Sequence, residues 1–308
     1  MSQINNHDIK TRKIYQKQHE RISNNQDAFS RLKKMYDDAF FGLNKNWFKN
    51  KKVIDVGCGN VGALIIRLHQ LESMQIFGID LDVDWIDSLE NNLRKNNVDL
   101  DNIVLKSGSV LDIPIEENYF DFTAINGVLI HLETLEDIKR GFSEGSRITK
   151  QGGFMYTSWG PCGGLMQGVI MPAVRKHYRN DRNFKDFIDN INTNTLHELI
   201  DKIVDDSFNF GVKDLISKNI LKSLFGEDYC VFIQNFIQAP TWWSNECTPK
   251  FVEDLYKKNG FKNIKRLSSF TVRSDIRKYF APLHYDLNHP ISQMLYGEGY
   301  VQYVGEKK

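Results

Sequence analysis

The run Val53-Ile54-Asp55-Val56-Gly57-Cys58-Gly59-Asn60-Val61-Gly62 constrains the fold more than any other stretch of the chain. Its apolar opening reads as a short buried strand, and three glycines follow at once. Glycine lets the backbone turn tightly and approach a ligand with no Cβ in the way. A strand that runs through such a turn into a helix begins a parallel βαβ unit. The string also satisfies GxGxxG, which alone would point to a dinucleotide-binding dehydrogenase. Asp55 turns the reading elsewhere. An acid two positions before the first glycine repels a pyrophosphate, but suits the cationic, amino-acid end of a ligand. The plainer alternative is a structural glycine turn with a capping Asp.

Further along, short apolar runs at 52–56, 75–79, 102–106, 120–125 and 153–158 alternate with helical patterns at 61–72, 83–96 and 134–149, and a weaker one at 110–118. Alternation of this kind implies parallel crossovers and a doubly wound sheet, with ligands bound beyond the carboxyl ends of the strands. The expected fold class is therefore α/β. One or two helices precede the first strand. Residues 8–24 could form one of them, although their apolar stripe is thin, and 26–49 carry apolar residues at helical spacing. Between 160 and 247 the alternation stops, and helices are expected near 165–179, 184–191, 195–206, 213–224 and 229–237. Thr248 and Pro249 then start a helix as N-cap and first residue, Gly260 ends it, and strands follow at about 263–272 and 300–306. The expected division is 1–50, N-terminal helices that cover the ligand site; 51–159, the ligand-binding core; 160–247, a helical cap; and 248–308, a return to the core.

Composition limits the functions open to such a fold. A formal net charge of +1 provides no overall field for nucleic acid or an acidic membrane. Four scattered cysteines, Cys58, Cys162, Cys230 and Cys247, make no CxxC pair. Free thiols, no signal-peptide pattern and no apolar run of membrane-spanning length lead to the expectation of a cytoplasmic protein with no membrane span.

Three more segments carry chemistry. Asp80 ends the second strand, 23 positions after Gly57, where a carboxylate can accept two ribose hydroxyls. Leu81 follows, Asp82 reads as a helix N-cap, and Trp85 could pack on an adenine face or simply belong to the core. Ser109-Val110-Leu111-Asp112 follows the third strand, where a polar side chain and exposed amides can read an adenine edge. Asn126 and Gly127 end the fourth strand. His131 lies on the next turn and is a candidate general base or orienting group.

Together these segments resemble the class I S-adenosylmethionine-dependent methyltransferases, in particular the small-molecule branch with the ubiquinone and menaquinone methyltransferases. The likeness covers roughly 50–158, and more loosely 247–272. It implies a Rossmann-like, mostly parallel seven-stranded sheet whose last strand is antiparallel, here with a helical cap insertion, and S-adenosyl-L-methionine as cofactor, leaving as S-adenosyl-L-homocysteine. It would set Asp55, Gly57, Cys58 and Gly59 at the methionine part, Asp80, Leu81 and Trp85 at the ribose and adenine, and Ser109, Val110 and Leu111 at the adenine. Asn126, Gly127 and His131 would stand at the methyl centre. Ser109 replaces the usual acid, and Ile130 stands where many relatives have the first His of a pair.

Methyl transfer from a sulfonium is an in-line displacement that needs alignment and exclusion of water more than a fixed catalytic residue. The NGVL sequence after the fourth strand lacks the prolines of nucleic-acid amine methylases. The insertion at 160–247 is expected to enclose a small organic acceptor, methylated on O, N or C. Wall candidates are Trp159, Tyr178, Phe232, Phe236, Trp242 and Trp243, and the TWWSNE run at 241–246 is the leading candidate for acceptor contact. Arg175, His177 and Arg179 could hold an anion or form a solvated face. A peptide or protein methyltransferase, and a non-catalytic cofactor-binding partner protein, are the alternatives. A monomer or homodimer is expected, with no nucleic-acid partner.

Overall fold

The computed structural model describes residues 6–34, 36, 40–81, 84–208, 219, 222, 226–267 and 290–308. Seven strands form one sheet in the order β3-β2-β1-β4-β5-β7-β6. They are β1 (Lys52–Val56), β2 (Gln75–Asp80), β3 (Ile103–Ser107), β4 (Phe120–Asn126), β5 (Thr149–Cys162), β6 (Phe261–Arg266) and β7 (Gly299–Lys307). The first five run parallel, and β7 is antiparallel to both β5 and β6. The order reverses at β1, which lies between β2 and β4, so the carboxyl ends of β1 and β4 diverge over a crevice.

Period-two alternation gives the sheet two apolar faces. Val53, Phe122, Ala124 and Tyr156 point to one, with Phe40, Phe41, Phe48 and helices α3 (Ala63–Gln70) and α4 (Trp85–Lys95). Ile54, Val56, Ile125 and Met155 point to the other. That face is covered by α5 (Leu135–Ile148) and by Val252, Leu255 and Tyr256 of the last long helix. Gly145 lets α5 lie close to the sheet, because a Cβ there would meet Ile125 Cδ1 at 2.6 Å. Thr134 caps α5 in a reciprocal box with Asp137.

The helical pattern at 110–118 does not become a helix. Ser109 and Asp112 pair as an isolated bridge, and the backbone groups that a helix would use are taken by α5. The Ile113 N–H donates to Glu144 at 3.0 Å, and Arg147 donates to the carbonyls of Ile113 (2.9 Å) and Ile115 (2.7 Å). Pro114 cannot donate at all.

Two helices precede the sheet, α1 (Asn6–Ser23) and α2 (Gln26–Lys34). The insertion supplies α6 (Met171–Asn180), entered through a π-turn at Met166–Ile170, then α7 (Arg182–Asn190), α8 (Thr193–Phe208) and α9 (Glu227–Gln238). Most of the helix expected at 213–224, and the second half of the strand expected at 263–272, lie outside the described residues. Helix α10 (Pro249–Lys258) starts as its sequence suggests, with the Phe251 N–H donating to Thr248 Oγ1. Helix α11 (Pro290–Tyr296) leads into β7. Among the described residues no helix is long and apolar enough to cross a membrane.

Since Arg147 and Glu144 hold the 109–115 segment, Arg147→Met should leave two carbonyls unpaired and cost about 1–3 kcal/mol. Urea unfolding would show this as a lower midpoint with an unchanged slope; an unchanged midpoint would remove the clamp from the account of this segment.

Candidate active site

The turns after the parallel strands are tied to one another. Gly57 and Cys58 donate to the Ile79 carbonyl, Gly108 to the Asp80 carbonyl, and Gly127 to the Ser158 carbonyl. The Gly59 N–H donates to Asp80 Oδ2 at 2.9 Å, which fixes the first glycine turn against the tip of β2. Gly57 and Gly59 have φ of +80° and +56°, where a side chain is strained. A Cβ at Gly57 would meet Val128 Cγ2 at 2.3 Å.

These turns form the floor of a cavity of about 370 Å³ that runs from the tip of β2 to the tips of β5 and β7. Gly57, Asp80, Leu81, Trp85, Ser109 and Val110 line one end. Asn126 and Gly127 lie at the centre, and Asn126 is locked in place. It accepts from Ser158 Oγ at 2.6 Å and donates to Tyr36 Oη at 2.9 Å. His131 and Trp242 line the far end.

Asp55, Cys58, Gly59 and Leu111 are not on the wall. Asp55 is 4% exposed within β1. Burial, and the charge of Asp80 beside it, push its pKa up to about 8. The Leu111 N–H donates to Ser109 Oγ. Asp82 lies outside the described residues, and α4 begins after Asp84, whose side chain makes no cap bond.

Three of the acceptor-wall candidates lie elsewhere. Trp159 occupies a bulge, since Ser158 pairs with Gln302 and Gly160 with Val301. Its indole turns into the core, donating to Thr157 Oγ1 and stacking on Phe142. Tyr178 donates to Asp189 Oδ1 at 2.6 Å. Trp243 donates to the Leu132 carbonyl. Phe236 does line the cavity, whereas the side chain of Phe232 is outside the described residues. Arg175 and Arg179 donate to the carbonyls of Phe236, Ala239 and Pro240, so they close the C-terminal end of α9. His177 packs on Phe184.

The roof comes from residues that the sequence pattern did not single out. Asp8, Thr11, Arg12, Tyr15 and His19 fall on one face of α1, and all of them line the cavity. The helix is held along its length. His7 Nε2 meets Thr241 Oγ1, Arg12 donates to Asp84 at 3.0 Å, Gln18 donates to Gln238, and Arg21 donates to the Ile191 carbonyl. Tyr15 Oη lies 2.8 Å from His131 Nε2. Burial lowers the pKa of His131 to about 3 and of His19 to about 4, so both rings are neutral. The His19 ring covers Gly59 and meets Trp85 edge-on. Asn235 and Phe236 of α9, and Tyr300 and Gln302 of β7, complete the enclosure.

Several residues that line the cavity also carry a buried polar atom with no hydrogen-bond partner among the described residues: Trp85 Nε1, His19 Nδ1, Thr11 Oγ1, Asn235 Oδ1 and Gln302 Oε1.

The family description "Methyltransferase domain" matches residues 54–157. Among curated proteins, the ribosomal protein L11 methyltransferase of Fusobacterium nucleatum is 33% identical over 106 residues, which cover 34% of this chain and 33% of that protein. The demethylmenaquinone methyltransferase of Desulfitobacterium hafniense is 27% identical over 145 residues, 42% of this chain and 56% of that protein. The chain thus spans a third to just over half of these relatives' lengths. A solved structure from Methanococcus maripaludis, described as an S-adenosyl-L-methionine-dependent methyltransferase, covers 97% of this chain and is itself covered to 94%, at 17% identity and a TM-score of 0.46.

The residues present fit S-adenosylmethionine. Asp55 and Asp80 make the glycine-turn end acidic, and burial together with the charge of Asp80 raises the pKa of Asp55. The ammonium and sulfonium of the ligand would offset that repulsion, while a pyrophosphate would add to it. Asp80, at the tip of β2, lines the cavity together with Trp85, where a ribose and an adenine could be received. A strand–glycine turn–helix unit followed by an acid at the tip of β2, in a sheet with one antiparallel strand, all within the matched region or packed on it, leads to one family. Residues 54–157 of this chain are a class I S-adenosylmethionine-dependent methyltransferase domain.

Proposed function

We propose that this chain transfers a methyl group from S-adenosylmethionine to an O, N or C nucleophile of a small organic molecule. The observation that carries the reading is the roof. Helix α1 crosses the cavity, is tied to Thr241 at one end and to Gln238 and Ile191 further along, and closes onto His131 through Tyr15. A small molecule fits beneath such a roof, whereas a polypeptide acceptor would have to displace it. The relatives named for ribosomal protein L11 keep protein methylation as the second reading.

When bound, S-adenosylmethionine supplies an electrophilic methyl group on a sulfonium. The chain's own residues do the rest. Asp80 receives the ribose hydroxyls, Ser109 and Val110 face the adenine, and Asp55, buried behind the glycine turn, acts on the cationic end through its field rather than by contact. Asn126, fixed by Ser158 and Tyr36, keeps the floor rigid beneath the reacting centre. His131, Tyr15, Phe236 and Trp242 bound the acceptor and keep water from it.

Three outcomes are expected. In a cell extract given tritiated S-adenosylmethionine, label should appear in the low-mass fraction; label retained on a protein band would favour the second reading. Asp80→Ala should weaken S-adenosylhomocysteine binding by roughly 2–3 kcal/mol, the worth of a charge-assisted hydrogen-bonded pair. Calorimetry reads this directly, and unchanged affinity would remove Asp80 from the ribose. Asp55 gives a pH dependence. Its free-protein pKa of about 8 is raised, and a cationic ligand favours the ionised form, so binding lowers that pKa and releases a proton. S-adenosylmethionine affinity should therefore rise as pH rises toward 8, then level off. Calorimetry in buffers of different ionisation enthalpy should count the released proton, and Asp55→Asn should abolish it.

A further inference from the structure

One helix lies over both ends of the cavity. At about 100° per residue, Asp8, Arg12 and His19 of α1 fall on one flank of Tyr15, and His7 and Gln18 fall on the other. The first flank meets the glycine-turn end. Arg12 donates to Asp84 at 3.0 Å, and the His19 ring covers Gly59 and meets Trp85 edge-on. The second flank meets the insertion. His7 Nε2 lies 3.0 Å from Thr241 Oγ1, and Gln18 donates to Gln238 at 3.1 Å. Between the flanks, Tyr15 Oη reaches His131. A ligand at either end of the cavity lies under the same helix.

The helix covers the cavity without being built into the core. Of its 18 residues only Gln18 and Ile22 are buried, and only Ile22 joins an apolar cluster. Ile9, near the tip, is 38% exposed. Side-chain hydrogen bonds do the holding, and water replaces such bonds at a net cost of about 0.5–1.5 kcal/mol each. An exposed ion pair such as Arg12–Asp84 adds about 1 kcal/mol at most.

The ties are graded along the helix. At the N-terminal end they are polar and few. At the C-terminal end Arg21 donates to Glu227, Gln234 and the Ile191 carbonyl, and Ile22 is anchored in the core. The corner into α2 is fixed as well. The Asn24 N–H donates to the Glu20 carbonyl, the Ala28 N–H donates to Asn25 Oδ1 at 3.0 Å, and Ala28 and Phe29 are core residues. A helix bonded in this way opens from its tip and pivots at its base.

We propose that α1 is a lid, which lifts by its N-terminal end about the corner at residues 22–29 and admits donor and acceptor through the opening it uncovers. This lid rests on the methyl-transfer reading above and supplies the step that lets its substrates in. Lifting breaks the bonds to Thr241 and Asp84 first, then Tyr15–His131, then Gln18–Gln238. Because a single helix spans both ends, they open together and shut together. The shut lid keeps water from the sulfonium while the acceptor is in place. It also suits a small acceptor, which a closing helix can enclose.

Amide hydrogen exchange of the full chain, with and without S-adenosylhomocysteine, tests the lid directly. In the free protein the amides of residues 8–19 should exchange faster than those of α3 and α5, and they should slow when S-adenosylhomocysteine binds. His7→Ala and Gln18→Ala remove ties that lie off the cavity wall. In stopped-flow measurements each variant should bind and release S-adenosylhomocysteine about three- to tenfold faster, the worth of one net hydrogen bond. Kd should stay nearly unchanged, because the free and the bound protein open more readily alike. Parent-like exchange in α3 and α5 reports that the variants fold. Faster release with unchanged association marks a static contact and overturns the lid. So do unchanged rates in both variants, and so does exchange at residues 8–19 that is no faster than in α3 and α5 or that ignores S-adenosylhomocysteine. These results leave methyl transfer standing. Failure of the parent protein to bind S-adenosylhomocysteine overturns the reading on which the lid rests.

Discussion

A single hydrogen bond organises the glycine-turn end of the cavity. The Gly59 N–H reaches the Asp80 carboxylate, so the turn after β1 and the tip of β2 cannot move independently. The bond requires a positive φ at Gly59, which requires glycine, and it brings a second carboxylate close to the buried Asp55. Two like charges in a desolvated corner are tolerated only while one is protonated or a cation lies between them. The corner is thus unfavourable on its own and favourable with a cationic ligand, a common condition for binding sites.

The far end is built on different terms. One end of the cavity is lined by turns that follow successive strands, and the sheet order places them side by side. The other end is lined from α1, from α9, from the loop at Thr241–Trp242 and from β7, which are far apart in sequence. Hydrogen bonds between side chains join them: His7 to Thr241, Tyr15 to His131, Gln18 to Gln238. The neutral state of His131 leaves one ring nitrogen free to accept, whereas in a charged ring both nitrogens would donate and Tyr15 Oη could only accept from it.

How much of this was legible beforehand follows the same division. The glycine turn, Asp80 and Asn126 are visible in sequence because each is local: a strand, its end, and the next turn. A covering role for the N-terminal helices was expected, but the residues that line the cavity were hidden by their own chemistry. Asp8, Thr11, Arg12, Tyr15 and His19 make a polar stripe, and on a helix such a stripe reads as a solvated face, whereas here it faces a cavity. The apolar thinness of residues 8–24 was the available signal. Trp159 was misplaced because a single-residue bulge in β5 reverses the alternation that would have aimed it outward. Trp242 and Trp243 are adjacent and point to different places, one into the cavity and one to the Leu132 carbonyl. Composition cannot divide such a pair. The missing helix at 110–118 shows the same limit, since a charged pair on α5 outcompeted a weak local preference.

The antiparallel strand has a consequence for the order in which the enzyme comes into being. Gln302 and Tyr300 reach the cavity from β7, which is the last strand in sequence but inserts between β5 and β6. On a ribosome, residues 52–131 emerge early, and with them the turns that follow β1, β2, β3 and β4. The share of the wall that β7 supplies comes only with residues 299–307, which lie between β5 and β6 in the sheet. A nascent chain thus carries most of the cavity floor long before it has the strand that completes the sheet.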